Sequence, residues 1–241
     1  MKHAKFYDVF YPEENEKIMF IDSIFKKYSV RDVLELSCRT GSVSISLARK
    51  GYNITGIDKN KDMLQFFSYR TRGKMLNINI KQKDIEKIDY KNDFDAVISL
   101  RDSLNFIHDY NALLEMLKKI KSSLRKNGIF LLEITNFLSW IERYKKEETL
   151  FYQRKNLNIM RYIKRNIEDL HGIIDEKEFG LIDDNGVLTT YCEDRRIKIM
   201  RFEEWMKILK EAGFKNILYY SDYKFTVPEK KAKKVIFIAE K

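Results

Sequence analysis

The chain has 241 residues, enough for one large domain or one domain carrying an insertion, and chains of this size bury roughly 70% or more of their unfolded surface. Its 44% hydrophobic and 34% charged content excludes a disordered polymer, and two cysteines, Cys38 and Cys192, exclude a disulfide framework and fit a reducing compartment. No apolar run approaches the roughly 20 residues that span a bilayer, and Met1 to Tyr11 lacks a signal-peptide pattern, so a soluble, cytoplasmic protein without a membrane partner is expected. The net charge of +10 admits a nucleic-acid partner without favouring one, because lysines and acids alternate along the whole chain.

Phe6 to Pro12 is aromatic and reads either as an anchor for the following helix or as a cover for a ligand. Glu14 to Tyr28 places Ile18, Ile21, Ile24 and Phe25 on one helical face. Val33, Leu34 and Leu36 form a short buried-strand run, and Ser37-Cys38-Arg39-Thr40-Gly41 turns the chain into a helix that Gly51 closes. Ile54 to Ile57 is a second strand ending in Asp58, the position where nucleoside-binding α/β proteins hold ribose hydroxyls with an acid. Asn60 or Asp62 caps a helix running to about Arg72, with Gly73 as its stop. Asn77 to Gln82 alternates as a third strand, and Phe94 to Leu100 is an apolar fourth. Asp109 or Asn111 caps a helix bearing Leu113, Leu117, Ile120 and Leu124, which Asn127-Gly128 is expected to end before a fifth strand, Ile129 to Ile134.

Strands alternating with helices predict an α/β protein with a parallel sheet and right-handed crossovers. The pattern changes over residues 136–200. There Leu157 to Ile163, Gly172 to Ile182 and Val187 to Cys192 read as strands, with Asp183-Asp184-Asn185-Gly186 as a hairpin turn. An antiparallel insertion after the fifth strand is expected, covering the substrate side as a lid or wall, while residues 1–135 and 201–241 make the main domain. Arg201 to Phe214 is a marked helix, and Ile217 to Tyr220 and Lys234 to Ala239 are the last strands.

The run from Glu35 through Gly41 to Asp58 resembles the Rossmann-like, class I S-adenosylmethionine-dependent methyltransferases, which carry an acid ending the first strand, a glycine-rich loop and an acid ending the second strand. Lys59-Asn60-Lys61-Asp62-Met63-Leu64 resembles the family's next helix start, and Ala212-Gly213-Phe214 its late helix end. The resemblance implies a seven-stranded, mostly parallel sheet with helices on both faces, and S-adenosyl-L-methionine as cofactor. It implies cofactor contacts at Tyr7, Glu35, Ser37, Arg39, Gly41, Asp58, Lys59, Met63, Asp84, Ile85 and Arg101. Asp84 would accept from the adenine amine beside Ile85, although a turn aspartate explains it equally simply. The loop departs from the family's three alternating glycines at Ser37 and Arg39. Arg39 then has an ordinary φ and points to solvent, or reaches the ligand carboxylate, or impairs binding.

Arg101-Asp102-Ser103-Leu104-Asn105 follows the fourth strand, where open parallel sheets line their ligand crevice. Asp102 and Asn105, with Tyr11, are therefore candidate substrate contacts; a loop capping the next helix is the plainer alternative. Asp102 and His108 are candidate bases, with a helix-capping role for His108 set against it. Methyl transfer from a sulfonium asks chiefly for alignment and water exclusion, so no strong catalytic signature need appear. His3, His108 and His171 lack metal-ligand spacing, and no Walker loop or Gly-x-Gly-x-x-Gly is present. With Pro12 and Pro228 the only prolines, the Asn/Asp-Pro-Pro-aromatic site of amino-methylating nucleic-acid enzymes is excluded. A small-molecule acceptor with a nitrogen or oxygen nucleophile is the favoured reading. An RNA or protein methyltransferase using the basic surface and a catalytically silent binding module stand beside it. The oligomeric state is open.

Overall fold

The structure is a computed structural model that describes residues 4–12, 14–168, 172–227 and 231–241. His3, His171 and Pro228 lie outside the described residues. In chain order the elements are α1 (Tyr7–Phe10), α2 (Asn15–Lys27), β1 (Asp32–Leu36), α3 (Ser42–Ala48), β2 (Asn53–Asp58), α4 (Lys61–Thr71), β3 (Ile78–Gln82), β4 (Phe94–Ser99), α5 (Tyr110–Ser123), β5 (Leu124–Thr135) and α6 (Phe137–Ile141). They continue with β6 (Glu147–Arg154), β7 (Leu157–Glu168), β8 (Ile173–Asp184), β9 (Val187–Lys198), α7 (Phe202–Glu211), β10 (Lys215–Ser221) and β11 (Lys234–Glu240).

Seven strands form one sheet in the order β10-β11-β5-β4-β1-β2-β3. The pairs among β1 to β5 are parallel, and β11 is antiparallel to both β5 and β10. This is a Rossmann-like α/β architecture. Its strands are apolar on both sides because helices cover both faces. Leu34, Leu36, Val97 and Phe130 pack under α5 and α7, where Leu117, Trp205 and Leu209 are fully buried. Val33, Ile54, Ile98 and Leu131 pack on the opposite side against Ile21 and Phe25 of α2 and Leu47 of α3. The strand order reverses between β1 and β4, so a crevice opens at their carboxyl ends.

Two boundaries differ from expectation. Helix α5 stops at Ser123, and Asn127-Gly128 lies inside β5 instead of ending the helix. Asn127 takes φ +63°, the register against β4 shifts between Phe94 and Ala96, and a Cβ on Gly128 would stand 3.0 Å from the Arg125 and Asp95 carbonyls. The pair therefore marks a kink in a strand. The insertion has four antiparallel strands, ordered β6-β7-β8-β9, where three were expected. The extra strand, β6, is an edge whose alternate residues are exposed.

Among the described residues no helix is long and apolar enough to cross a membrane.

Candidate functional site

The loop after β1 passes three times through the left-handed region, at Ser37 (φ +53°), Arg39 (φ +52°) and Gly41 (φ +71°). The ordinary φ expected as one option for Arg39 is thus corrected: the loop keeps the path of an alternating-glycine loop with side chains at two of three places. Asp58 holds it there. The Arg39 N–H donates to Asp58 Oδ2 at 2.9 Å and the Asn60 N–H to Oδ1 at 2.8 Å. A carboxylate has about four lone-pair positions, so Asp58 keeps accepting capacity toward the cleft. Gly41 is not among the residues that line the cleft; it shapes the loop, with its Cα pressed against Phe67. A Cβ there would sit 2.2 Å from the Phe67 ring. Glu35, 4% exposed, accepts a short bond from the Ser44 hydroxyl and lines a small recess with Tyr7, Ser37, Arg39 and Arg101.

The aromatic amino-terminal segment is strapped over this loop. Asp8 accepts from Thr40 Oγ1 and Arg70 Nη1, both at 2.6 Å. The Arg39 and Arg101 guanidinium groups lie 5.6 and 5.7 Å from the Tyr7 ring centre, within cation–π range. Arg101 also donates to the Tyr11 carbonyl at 3.0 Å. The Tyr11 hydroxyl accepts from Arg161 at 3.0 Å and Arg195 at 3.2 Å, which ties the strap to the insertion.

After β4, Arg101 and Asp102 both take left-handed φ values of +53° and +56°. This turn aims Asp102 back at the end of β5, where it accepts from the Thr135 N–H and hydroxyl, both at 2.6 Å. Burial pushes its carboxyl up to about 6, against the pull of the Thr135 bonds. Glu133 points to the same face of β5 as Thr135 and is 2% exposed. Burial alone would raise its carboxyl, but Lys17 at 3.3 Å, Lys234 at 3.4 Å and a short bond from the Tyr223 hydroxyl hold it down to about 2. On the insertion, Arg161 grips Glu178 with two bonds of 2.6 and 2.8 Å, and Arg195 reaches the same carboxylate.

Many of these groups line one cleft of about 1100 Å³. Tyr7, Ser37, Arg39, Asp58, Lys59, Met63, Asp84, Ile85 and Arg101 line its inner end. Tyr11, Asp102, His108, Glu133, Arg161, Glu178, Arg195 and Lys234 surround the rest. Asn105 lies outside it: fully buried, it donates to the Lys198 carbonyl at 2.8 Å and fastens the insertion. His108 lines the cleft, but its Nε2 donates to the Arg196 carbonyl at 2.9 Å, so only Nδ1 could act as a base. Asp84 both lines the cleft and caps the turn at Ile85 by accepting from the Glu86 N–H at 3.1 Å. Glu133, Arg161, Glu178, Arg195 and Lys234 were not singled out in the sequence; an acid inside the apolar run of β5 is the one signal that pointed to any of them. Among the described residues, no group of three or more His, Cys, Asp or Glu is placed to hold a metal ion.

Residues 33–128 match a family model described as a methyltransferase domain. The fold and the loop geometry are similar to those of class I, Rossmann-like S-adenosylmethionine-dependent methyltransferases. Particular relatives are distant. YqeM of Bacillus subtilis (strain 168) is 26% identical over 209 residues, covering 87% of this chain and 83% of that protein. The glycine/sarcosine N-methyltransferase of Parasynechococcus marenigrum is 26% identical over 212 residues, covering 85% and 70%. A solved S-adenosylmethionine-dependent methyltransferase of Clostridium acetobutylicum superposes with a TM-score of 0.86 at 21% identity, over 99% of this chain and 97% of that one. The amino pentose methyltransferase CalS10 of Micromonospora echinaspora gives 0.75 at 16%, over 97% and 95%.

Proposed function

We propose that this chain methylates a nitrogen of a small molecule, using S-adenosylmethionine. The observation that carries the nitrogen is the charge of the cleft. In a chain of net charge +10, its lining sets nine acids, Glu14, Asp58, Asp84, Glu86, Asp102, Glu133, Glu178, Glu193 and Asp194, against seven bases, Arg39, Lys59, Arg101, Arg161, Arg195, Arg196 and Lys234. Such a wall favours a cationic amine and disfavours a polyanion, which weighs against RNA.

The inner cleft fits the cofactor. Asp58 retains lone pairs for ribose hydroxyls, Asp84 and Ile85 flank an adenine, and Arg39 and Arg101 flank Tyr7, within reach of a carboxylate. The retained left-handed turns at Ser37 and Arg39 count against a silent module. Bound cofactor would supply a methyl carbon on a positively charged sulfur, already activated for direct displacement. The chain's own residues would exclude water under the Tyr7 strap, align the acceptor and take up its proton at Asp102. A carboxylate titrating near 6 is poorly matched to ionising an alcohol, whose pKa lies far higher, and better suited to relaying a proton from an ammonium. The names of relatives do not choose between nitrogen and oxygen, since they include a glycine/sarcosine N-methyltransferase and a ubiquinone biosynthesis O-methyltransferase.

The test is calorimetric titration of wild type and Asp58→Ala with S-adenosylmethionine and S-adenosylhomocysteine. Wild type should bind at micromolar concentration, and the variant about ten- to a hundredfold more weakly, as loss of a charged hydrogen-bond acceptor implies. Folded wild type that binds neither ligand overturns the reading. Release of S-adenosylhomocysteine should then be faster with a panel of primary amines than with matched alcohols.

A further inference from the structure

The outer cleft has a feature that acidic side chains do not account for. Six consecutive residues of β9, Cys192 to Ile197, line it. A strand that faced a cavity with one side would contribute alternate residues, so β9 meets the cleft edge-on. It is the terminal strand of its sheet, and no strand among the described residues pairs with its outer edge. The direction of its main-chain groups follows from three bonds. Ile199 N–H bonds to Gly172 O, toward β8, while the carbonyls of Arg196 and Lys198 are taken from outside by His108 and Asn105. Main-chain groups alternate along a strand, so those of Cys192 and Asp194 also point outward, into the cleft.

We propose that the acceptor is a short peptide whose main chain adds to β9 as a fifth antiparallel strand, presenting its terminal amine for methylation. This rests on the methyltransferase reading and narrows it. The edge is open at Cys192 and Asp194 and closed at Arg196 and Lys198, so an added strand must end there. Antiparallel addition, the orientation of every other pair in this sheet, sets the first peptide residue against Asp194 and the third against Cys192. The chain end at the closed side is then an amino terminus, beside the loop that carries Asp102. Main-chain bonds give such binding its affinity irrespective of side chains. In the transfer, the neutral amine's lone pair forms the new N–C bond, the C–S bond breaks with its electron pair left on sulfur, and the surplus ammonium proton passes to Asp102 and then to water.

The experiment uses the full chain saturated with S-adenosylhomocysteine and titrated with trialanine. Binding of S-adenosylhomocysteine is measured first, so failure of the methyltransferase reading shows as its absence and overturns both. Cys192→Pro removes one edge N–H while leaving the ladder to β8 intact, since an edge position with an outward N–H tolerates proline. It should weaken trialanine at least tenfold with S-adenosylhomocysteine affinity unchanged. Leu188→Pro, on the same edge outside the cleft, should leave trialanine affinity unchanged. On wild type, the trialanine analogue with an ester between its second and third residues lacks the N–H aimed at the Cys192 carbonyl and should bind about tenfold more weakly. With S-adenosylmethionine, mass spectrometry should find the methyl group on the terminal nitrogen. Product-loaded wild type that ignores trialanine, or binds peptide and ester alike, overturns the proposal. So does a dimer that Cys192→Pro dissociates, since a second copy would then occupy the edge.

Discussion

Arg39 stands at φ +52°, where a non-glycine side chain costs roughly 1–2 kcal/mol. Its stacking on Tyr7 returns about 0.5–1 kcal/mol, and the Asp58 acceptor holds its N–H in place. The stacking offsets about half of the strain, and an arginine therefore persists at a glycine position at modest cost. Arg39→Ala keeps the strain and loses the stacking, whereas Arg39→Gly loses both. Urea denaturation should therefore rank Arg39→Gly above Arg39→Ala by about 1 kcal/mol, with Arg39→Gly close to wild type. Equal stability of the two variants would show that the backbone strain is not what matters. Asp102 invites a test of a different kind. Its carboxyl is raised to about 6, so the proton-accepting form prevails only above that pH. For an amine acceptor, kcat/KM should rise through a limb near pH 6 set by this group, on top of the amine's own ionisation. Asp102→Asn should lower the plateau and abolish that limb. A wild-type profile with no limb near 6 removes Asp102 from the reaction.

At the scale of elements, what was legible depended on whether the signal was local. Of the two cap candidates, Asn60 and Asp62, it is Asn60 whose side chain accepts from the Asp62 and Met63 N–H groups. The apolar periods of β1, β2, β4 and α7 likewise announced their partners' faces, because burial on both sides of a sheet leaves a continuous apolar run. Asn127-Gly128 misled because positive φ serves a strand kink as well as a helix stop. Strand β6 was missed because an exposed edge carries little apolar signal. Asn105 and His108 were recognised by their place after β4, but what they do depends on a strand about 90 residues away: they cap the carbonyls of Lys198 and Arg196. Nothing local could reveal that. The charged inner face of the insertion was illegible for a related reason. Arg161, Glu178 and Arg195 occupy positions where an apolar residue is the normal sign of burial, and only their mutual pairing makes them tolerable there.

Across the whole molecule, one buried charge cluster joins segments from both ends of the chain. Lys17 of α2, 1% exposed, meets Glu133 of β5, which also receives Lys234 of β11 and the Tyr223 hydroxyl from the loop after β10. Removing one member leaves a buried charge short of its partner. Lys17→Met should therefore cost roughly 3–5 kcal/mol and lower the thermal midpoint by on the order of 10 °C. Adding Glu133→Gln to Lys17→Met should restore part of that loss, because the stranded carboxylate is gone. The pH dependence has a definite sign. Glu133 is depressed in the folded state to about 2 from an ordinary 4.5, so its stabilising share is complete above about 4.5 and disappears as pH falls toward 2. Over that window, stability measured by urea denaturation should fall more steeply for wild type than for Glu133→Gln. A double variant no more stable than Lys17→Met, with parallel pH curves, would mean that the cluster does not couple these segments. The expected result would make the cleft floor a tie between the amino-terminal helix and the carboxyl-terminal strands, so that folding of the chain's two ends and assembly of the acceptor site are a single event.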